Sequence, residues 1–61
     1  MIDVMLSGGE MGGQLVTVDD WPVGTNMTFT DPEGDTLVYR RNGDVDGVHM
    51  ANLVLEIDAT P

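Results

Sequence analysis

An all-β fold follows from three features of the sequence. Short runs rich in Val, Thr, Ile, Phe and Tyr suit a pleated surface, apolar and polar residues alternate within them, and turn residues separate them closely. Eight glycines and three prolines punctuate a chain of 61 residues. The pieces left between them are of strand length. The expected architecture is a small single-domain roll, barrel or sandwich of five to six short antiparallel strands, spanning residues 1–61.

Ile2, Val4 and Leu6 alternate with Asp3 and Met5 and predict a first strand. The glycine-rich stretch 7–13 then turns the chain into a second strand over Gln14–Asp19. Here Val16 and Val18 lie opposite in parity to Leu15 and Thr17, and the two strands make a hairpin. Residues 19–24 (Asp-Asp-Trp-Pro-Val-Gly) form a turn region, because Pro removes a donor and Gly permits positive φ. Thr25–Thr30 is the clearest strand, with Met27 and Phe29 on one face and Asn26, Thr28 and Thr30 on the other. Asp31–Asp35 is an acidic turn with Pro and Gly at usable positions. Thr36–Arg41 is a fourth strand, and residues 42–47 are expected to turn the chain once more. In the last segment, Val48–Asp58, the alternation of Leu53, Leu55 and Ile57 favours strand over helix. Val48 and Met50 have the opposite parity, so a β-bulge or break is expected near Ala51–Asn52.

Length and composition narrow the function classes. A chain this short buries only about 60% of its unfolded surface and usually needs a disulfide, a metal or a partner surface. Cysteine is absent, which removes disulfides, thiolate metal sites and Cys nucleophiles together. Self-association or docking on a larger body remains. Eleven acidic residues face two arginines and no lysine, for a net charge of −9. Such a chain lacks the cations that neutralise phosphates or attract it to an anionic lipid surface, so neither nucleic acid nor membrane is an expected partner. The acidity serves solubility or complements a basic protein. The first residues lack the basic region and apolar core of a signal peptide, and no apolar run approaches the length of a membrane span. Synthesis in a cytoplasm is the expectation.

Candidate chemistry-bearing motifs are weak. Residues 42–47 (Asn-Gly-Asp-Val-Asp-Gly) offer oxygens at the first, third and fifth positions and Gly at the sixth, as a Ca²⁺ loop begins. The twelfth position is Leu53 where a Glu is required, so a turn is the simpler reading, with occasional Ca²⁺ binding assisted by Asp31, Glu33 or Asp35 as the alternative. The glycines of 7–13 lack the Lys and Ser or Thr of a phosphate-binding loop, and Glu10 repels phosphate. Ser7 and His49 are single occurrences, and no third group is in evidence to complete a triad. No enzyme activity, cofactor or resident metal is expected. The residues best suited to partner contact are Trp21, Arg40 and Arg41, with Asp31, Glu33 and Asp35 as an acidic turn. Trp21 either caps the core or anchors an interface. Arg40 and Arg41 fall on opposite faces of one strand, so one is placed to pair internally with a turn carboxylate and the other to face outward.

The order strand, Gly-Gly-x-x-x-Gly, strand, followed by Tyr-Arg-Arg and a Gly-Asp turn, resembles short accessory proteins of actinobacterial phages. The matching residues are Gly8, Gly9, Gly12 or Gly13, then Tyr39, Arg40 and Arg41. Arginine without lysine, with abundant Gly, Asp, Val and Thr, also suits a GC-rich genome. The resemblance implies a virion component, such as a capsid decoration or minor capsid protein that binds the outer shell and staples neighbouring subunits. Its partners would be the major capsid protein and copies of itself, with chain ends tied down in the assembly. The alternative expectation is an acidic inhibitor that mimics nucleic acid and binds a host or defence protein.

Overall fold

A computed structural model describes residues 1–59, and within them the chain is all strand and turn. The expected packing of the C-terminal end falls on residues 60 and 61, outside the described residues. Five strands form one sheet: β1 (Ile2–Ser7), β2 (Leu15–Val18), β3 (Asn26–Thr30), β4 (Thr36–Val45) and β5 (Val48–Ile57). Their order across the sheet is β2-β1-β5-β4-β3, and the sheet curls into a half-barrel.

Three neighbouring pairs are antiparallel, as the sequence predicts, but β1 and β5 run parallel. The difference follows from topology. After the β1–β2 hairpin the chain crosses to the far edge, returns through β3 and β4, and inserts β5 beside β1 in the same direction. Residues 8–14, the β3–β4 turn and the end of β5 therefore gather at one end of the sheet. The β2–β3 connection, the β4–β5 turn and the start of β1 gather at the other.

Alternation decides what lies inside. Val4 and Leu6 of β1, Leu37 and Tyr39 of β4 and Ala51 of β5 face the concave side, and Trp21 closes over them from the β2–β3 connection. Val16, Val18, Met27, Phe29 and Leu53 pack around this cluster. The three aromatic residues form a chain, with ring centroids 5.7 Å apart for Trp21 and Phe29 and 5.9 Å apart for Phe29 and Tyr39. The Trp21 indole Nε1–H donates to the Thr25 carbonyl at 3.0 Å, so its one polar atom is satisfied inside the core.

The β4–β5 connection is tighter than the sequence suggests. β4 continues to Val45, and only Asp46 and Gly47 turn the chain, with φ of 52° and 81°. Positive φ at both positions is the geometry of a two-residue hairpin whose twist matches its strands. Asn42 and Gly43 lie within β4, where the register shifts between Arg41 and Asp44. The second irregularity also lies away from Ala51–Asn52. Tyr39 pairs with Leu53 and Val38 with Leu55, leaving Val54 as the extra residue. This bulge keeps Leu53 against the core and sends Leu55 and Ile57 to the outer face.

Candidate functional site

Two groups of charged side chains and one apolar surface stand apart from the core. The first group gathers where the β1–β2 loop meets the β3–β4 turn. Tyr39 fixes that loop from below: its hydroxyl donates to the Gly8 carbonyl at 2.6 Å. Gly9 has φ of 71°, and a Cβ there would lie 2.8 Å from Leu53 Cδ2 and 3.3 Å from the Tyr39 hydroxyl. Only glycine brings the backbone this close, and Glu10 follows it directly.

The β3–β4 turn supplies the other acids. Asp31 is 4% exposed. Its Oδ1 accepts from the amides of Glu33 at 3.0 Å and Asp35 at 2.8 Å. Asp31 Oδ2 is buried and has no hydrogen-bond partner among the described residues. Asp35 in turn accepts the Ala59 amide at 2.9 Å. Glu10, Asp31, Glu33 and Asp35 each place one carboxylate oxygen within 4.8 Å of the others. The Asp31 carboxyl, at hydrogen-bonding distance, holds the Glu10 carboxyl above its ordinary value of 4.5, and the Glu33 charge adds to the effect. Glu10 is missed as a partner by sequence reasoning because it sits in a different loop. The detectable signal was the alternate spacing of Asp31, Glu33 and Asp35.

The second group surrounds Arg41, which is 4% exposed. Its Nη2 lies 2.8 Å from Asp44 Oδ1, and Nη1 donates to the Met50 carbonyl at 3.2 Å and to the Asn42 carbonyl. His49 Nδ1 lies 2.7 Å from the same Asp44 oxygen and 2.8 Å from Arg41 Nη2. Hydrogen bonds from Arg41 and then His49 hold Asp44 below its ordinary 3.8. One arginine thus pairs internally with a carboxylate of the 42–47 segment, as expected, while Arg40 points outward and is exposed. His49 lies in β5, and its ring nitrogen joins this group.

Several sequence expectations are redirected by these positions. Trp21 is 2% exposed and so takes the core-capping role rather than that of an exposed anchor. Arg41 is likewise buried and is not a surface contact. Residues 42–47 and the acids of 31–35 sit at opposite ends of the ten-residue strand β4, roughly 30 Å apart at the usual rise per residue. They cannot share one cation. Ser7 and His49 pair with different rungs, Ser7 with Asn52 and His49 with Val4. Their opposite parity puts them on opposite faces of the sheet, so they do not combine.

The outer face carries the apolar surface. Met5 is flanked by Leu15 and Met50, and Val45 pairs with Val48. On the same face, toward the other end, Val38 pairs with Leu55 and Thr36 with Ile57. Leu15, Val45, Val48, Leu55 and Ile57 are all at least 41% exposed. Arg40 lies between the two patches beside Asn26 and Asn52. A groove of about 400 Å³ beside the start of β1 is lined by Met1, Ile2, Asp3, Leu15, Val48 and His49, among others. No helix among the described residues is long and apolar enough to cross a membrane. Comparisons with protein-family models, with curated proteins and with solved structures find no match.

Proposed function

We propose that this protein is a non-enzymatic structural accessory of a phage virion. It docks on the major capsid protein through the outer face of the sheet and bridges neighbouring shell subunits. The observation that supports this reading is the pair of exposed apolar patches flanking Arg40. A small β domain ordinarily faces water with polar side chains on its outer surface, and contiguous apolar surface marks an interaction site. A standard interface removes about 800 Å² from each partner, about a fifth of the 3805 Å² that this chain exposes. Repeated by symmetry over a shell, contacts that are weak singly hold collectively through effective concentration.

The test is copurification. Particles isolated by density should carry the protein in many copies, and the double change Leu55→Asp with Ile57→Asp should strip it from them while the free protein stays folded. Particles that lack the protein by mass spectrometry, or a double variant that is incorporated normally, would refute the proposal.

A second reading is favoured by the convergence of Glu10, Asp31, Glu33 and Asp35 at one end. There the protein acts as an acidic decoy for the nucleic-acid site of a host or defence protein. Its binding to such a basic partner would weaken steeply with salt. Affinity that is flat between low and high ionic strength would exclude it.

A further inference from the structure

We infer that Glu10, Asp31, Glu33 and Asp35 form a Ca²⁺ site that ties the β1–β2 loop to the β3–β4 turn. The inference is independent of what the outer face binds. It stands on two observations. Four carboxylate oxygens from two separate loops lie within 4.8 Å of one another. Separately, Asp31, only 4% exposed, keeps one oxygen buried with no hydrogen-bond partner among the described residues.

The Asp31 carboxylate explains why a cation is the fitting occupant. Its Oδ1 is engaged by the amides of Glu33 and Asp35, which fixes the side chain and leaves Oδ2 unsatisfied. Buried polar atoms are nearly always paired, and an unpaired one calls for a missing partner. The neighbouring groups around it are carboxylates: Glu10 shares a proton with Asp31 only while it is protonated, and once ionised none of them offers a donor. A hard cation satisfies Oδ2 and offsets the repulsion among the four acids in one step.

Size selects the ion. Two oxygens on opposite sides of Ca²⁺ stand about 4.6–5.2 Å apart, whereas on Mg²⁺ they stand about 4.0–4.2 Å apart. All four oxygens of the cluster lie within 4.8 Å of one another, inside the reach of a Ca²⁺ shell, and Ca²⁺ accepts the irregular, partly hydrated geometry of two loops that Mg²⁺, with its strict octahedron, does not. Glu10 and Glu33 are exposed, so water completes the coordination and the site is open to exchange. Asp31, Glu33 and Asp35 come from alternate positions of one turn, and Glu10 closes the shell from across the fold.

The experiment is a calorimetric titration of the full chain with CaCl₂ in metal-free buffer, with circular dichroism to confirm that each variant is folded. Saturable binding of one ion is expected, with a Kd in the range of roughly 10⁻⁵ to 10⁻³ M and weaker binding of Mg²⁺. Glu10→Gln should weaken Ca²⁺ at least about tenfold, because it removes one charged ligand while leaving the turn intact. Asp46→Asn, at the opposite end, should bind as the parent does. A thermal melt should shift upward with Ca²⁺ in the parent and in Asp46→Asn, and much less in Glu10→Gln. Absence of saturable binding up to about 10 mM Ca²⁺, or a folded Glu10→Gln that binds as tightly as the parent, would overturn the inference. Either result leaves the virion test untouched.

Discussion

At one end of the sheet a buried arginine is surrounded by Asp44, His49 and two backbone carbonyls; at the other, four carboxylates converge around an unpartnered Asp31 oxygen. Both ends gather side chains from more than one segment, and both fix a turn. The Arg41 end contains its own counter-charge: both Nη atoms are engaged, and only the buried Nε lacks a partner among the described residues. The Glu10 end has only acids, so its electrostatics are finished by whatever enters from solution. A chain with two arginines and eleven acids can complete one such cluster internally and leave the other to a ligand.

Removing the internal cation should break the contrast most severely. Arg41→Met leaves the Met50 and Asn42 carbonyls without the Arg41 donor and Asp44 with His49 alone, and should cost about 2–3 kcal/mol in urea unfolding, discounted because Asp44 is half exposed. A loss below about 0.5 kcal/mol would mean that the cluster behaves as an ordinary surface pair. Gly9→Ala acts at the acidic end. It places a Cβ against Leu53 at positive φ and should cost about 1–2 kcal/mol. It should also displace Glu10 and so weaken Ca²⁺ binding, which no change around Arg41 should do. Tyr39→Phe removes the hydrogen bond to Gly8 and should cost about 1 kcal/mol, with faster amide exchange confined to residues 8–14.

Acid sharpens the comparison further, because it acts on the two ends with opposite sign. Asp44 has a lowered pKa in the folded chain, so its contribution is present above 3.8 and is lost as pH falls through the depressed value. Glu10 has a raised pKa, so in a chelating buffer its penalty is lifted as pH falls toward 4.5. Melting temperature measured against pH should therefore rise on mild acidification and fall below it. Asp44→Asn should flatten the acid limb and Glu10→Gln the rise. A curve unchanged by either substitution would show that neither cluster couples to folding.

Much of the fold was legible from period-two alternation. β1 (Ile2–Ser7), β2 (Leu15–Val18) and β3 (Asn26–Thr30) fall on the runs Ile2–Leu6, Gln14–Asp19 and Thr25–Thr30 that the alternation marks, to within a residue at each end. The errors fall where two turn signals compete or where one extra residue shifts parity. Asn42-Gly43 and Asp46-Gly47 are both good hairpin sequences, and only the pairing of Val45 with Val48 selects the second. Leu53, Leu55 and Ile57 alternate in sequence, yet Val54 bulges between them and divides their faces. The parallel β1–β5 pair leaves no local signature, because it depends on where the returning chain finds space. The clusters were half legible: Arg41 pairing inward follows from strand parity, whereas Glu10 meeting Asp31 requires the contact of two loops distant in sequence.

The central position of β5 governs how the chain is assembled. Before Val48 emerges from the ribosome, β1–β2 and β3–β4 are two separate ribbons with no pairing between them. Two-stranded ribbons are marginal on their own in water, and each leaves unpaired backbone along the side that β5 will occupy. β5, made after the other four described strands, is thus the keystone, and the sheet forms only once it is present, through contacts distant in sequence, the pattern associated with slow folding. A nascent chain stalled before this strand would present two sticky edges to its neighbours on the same message.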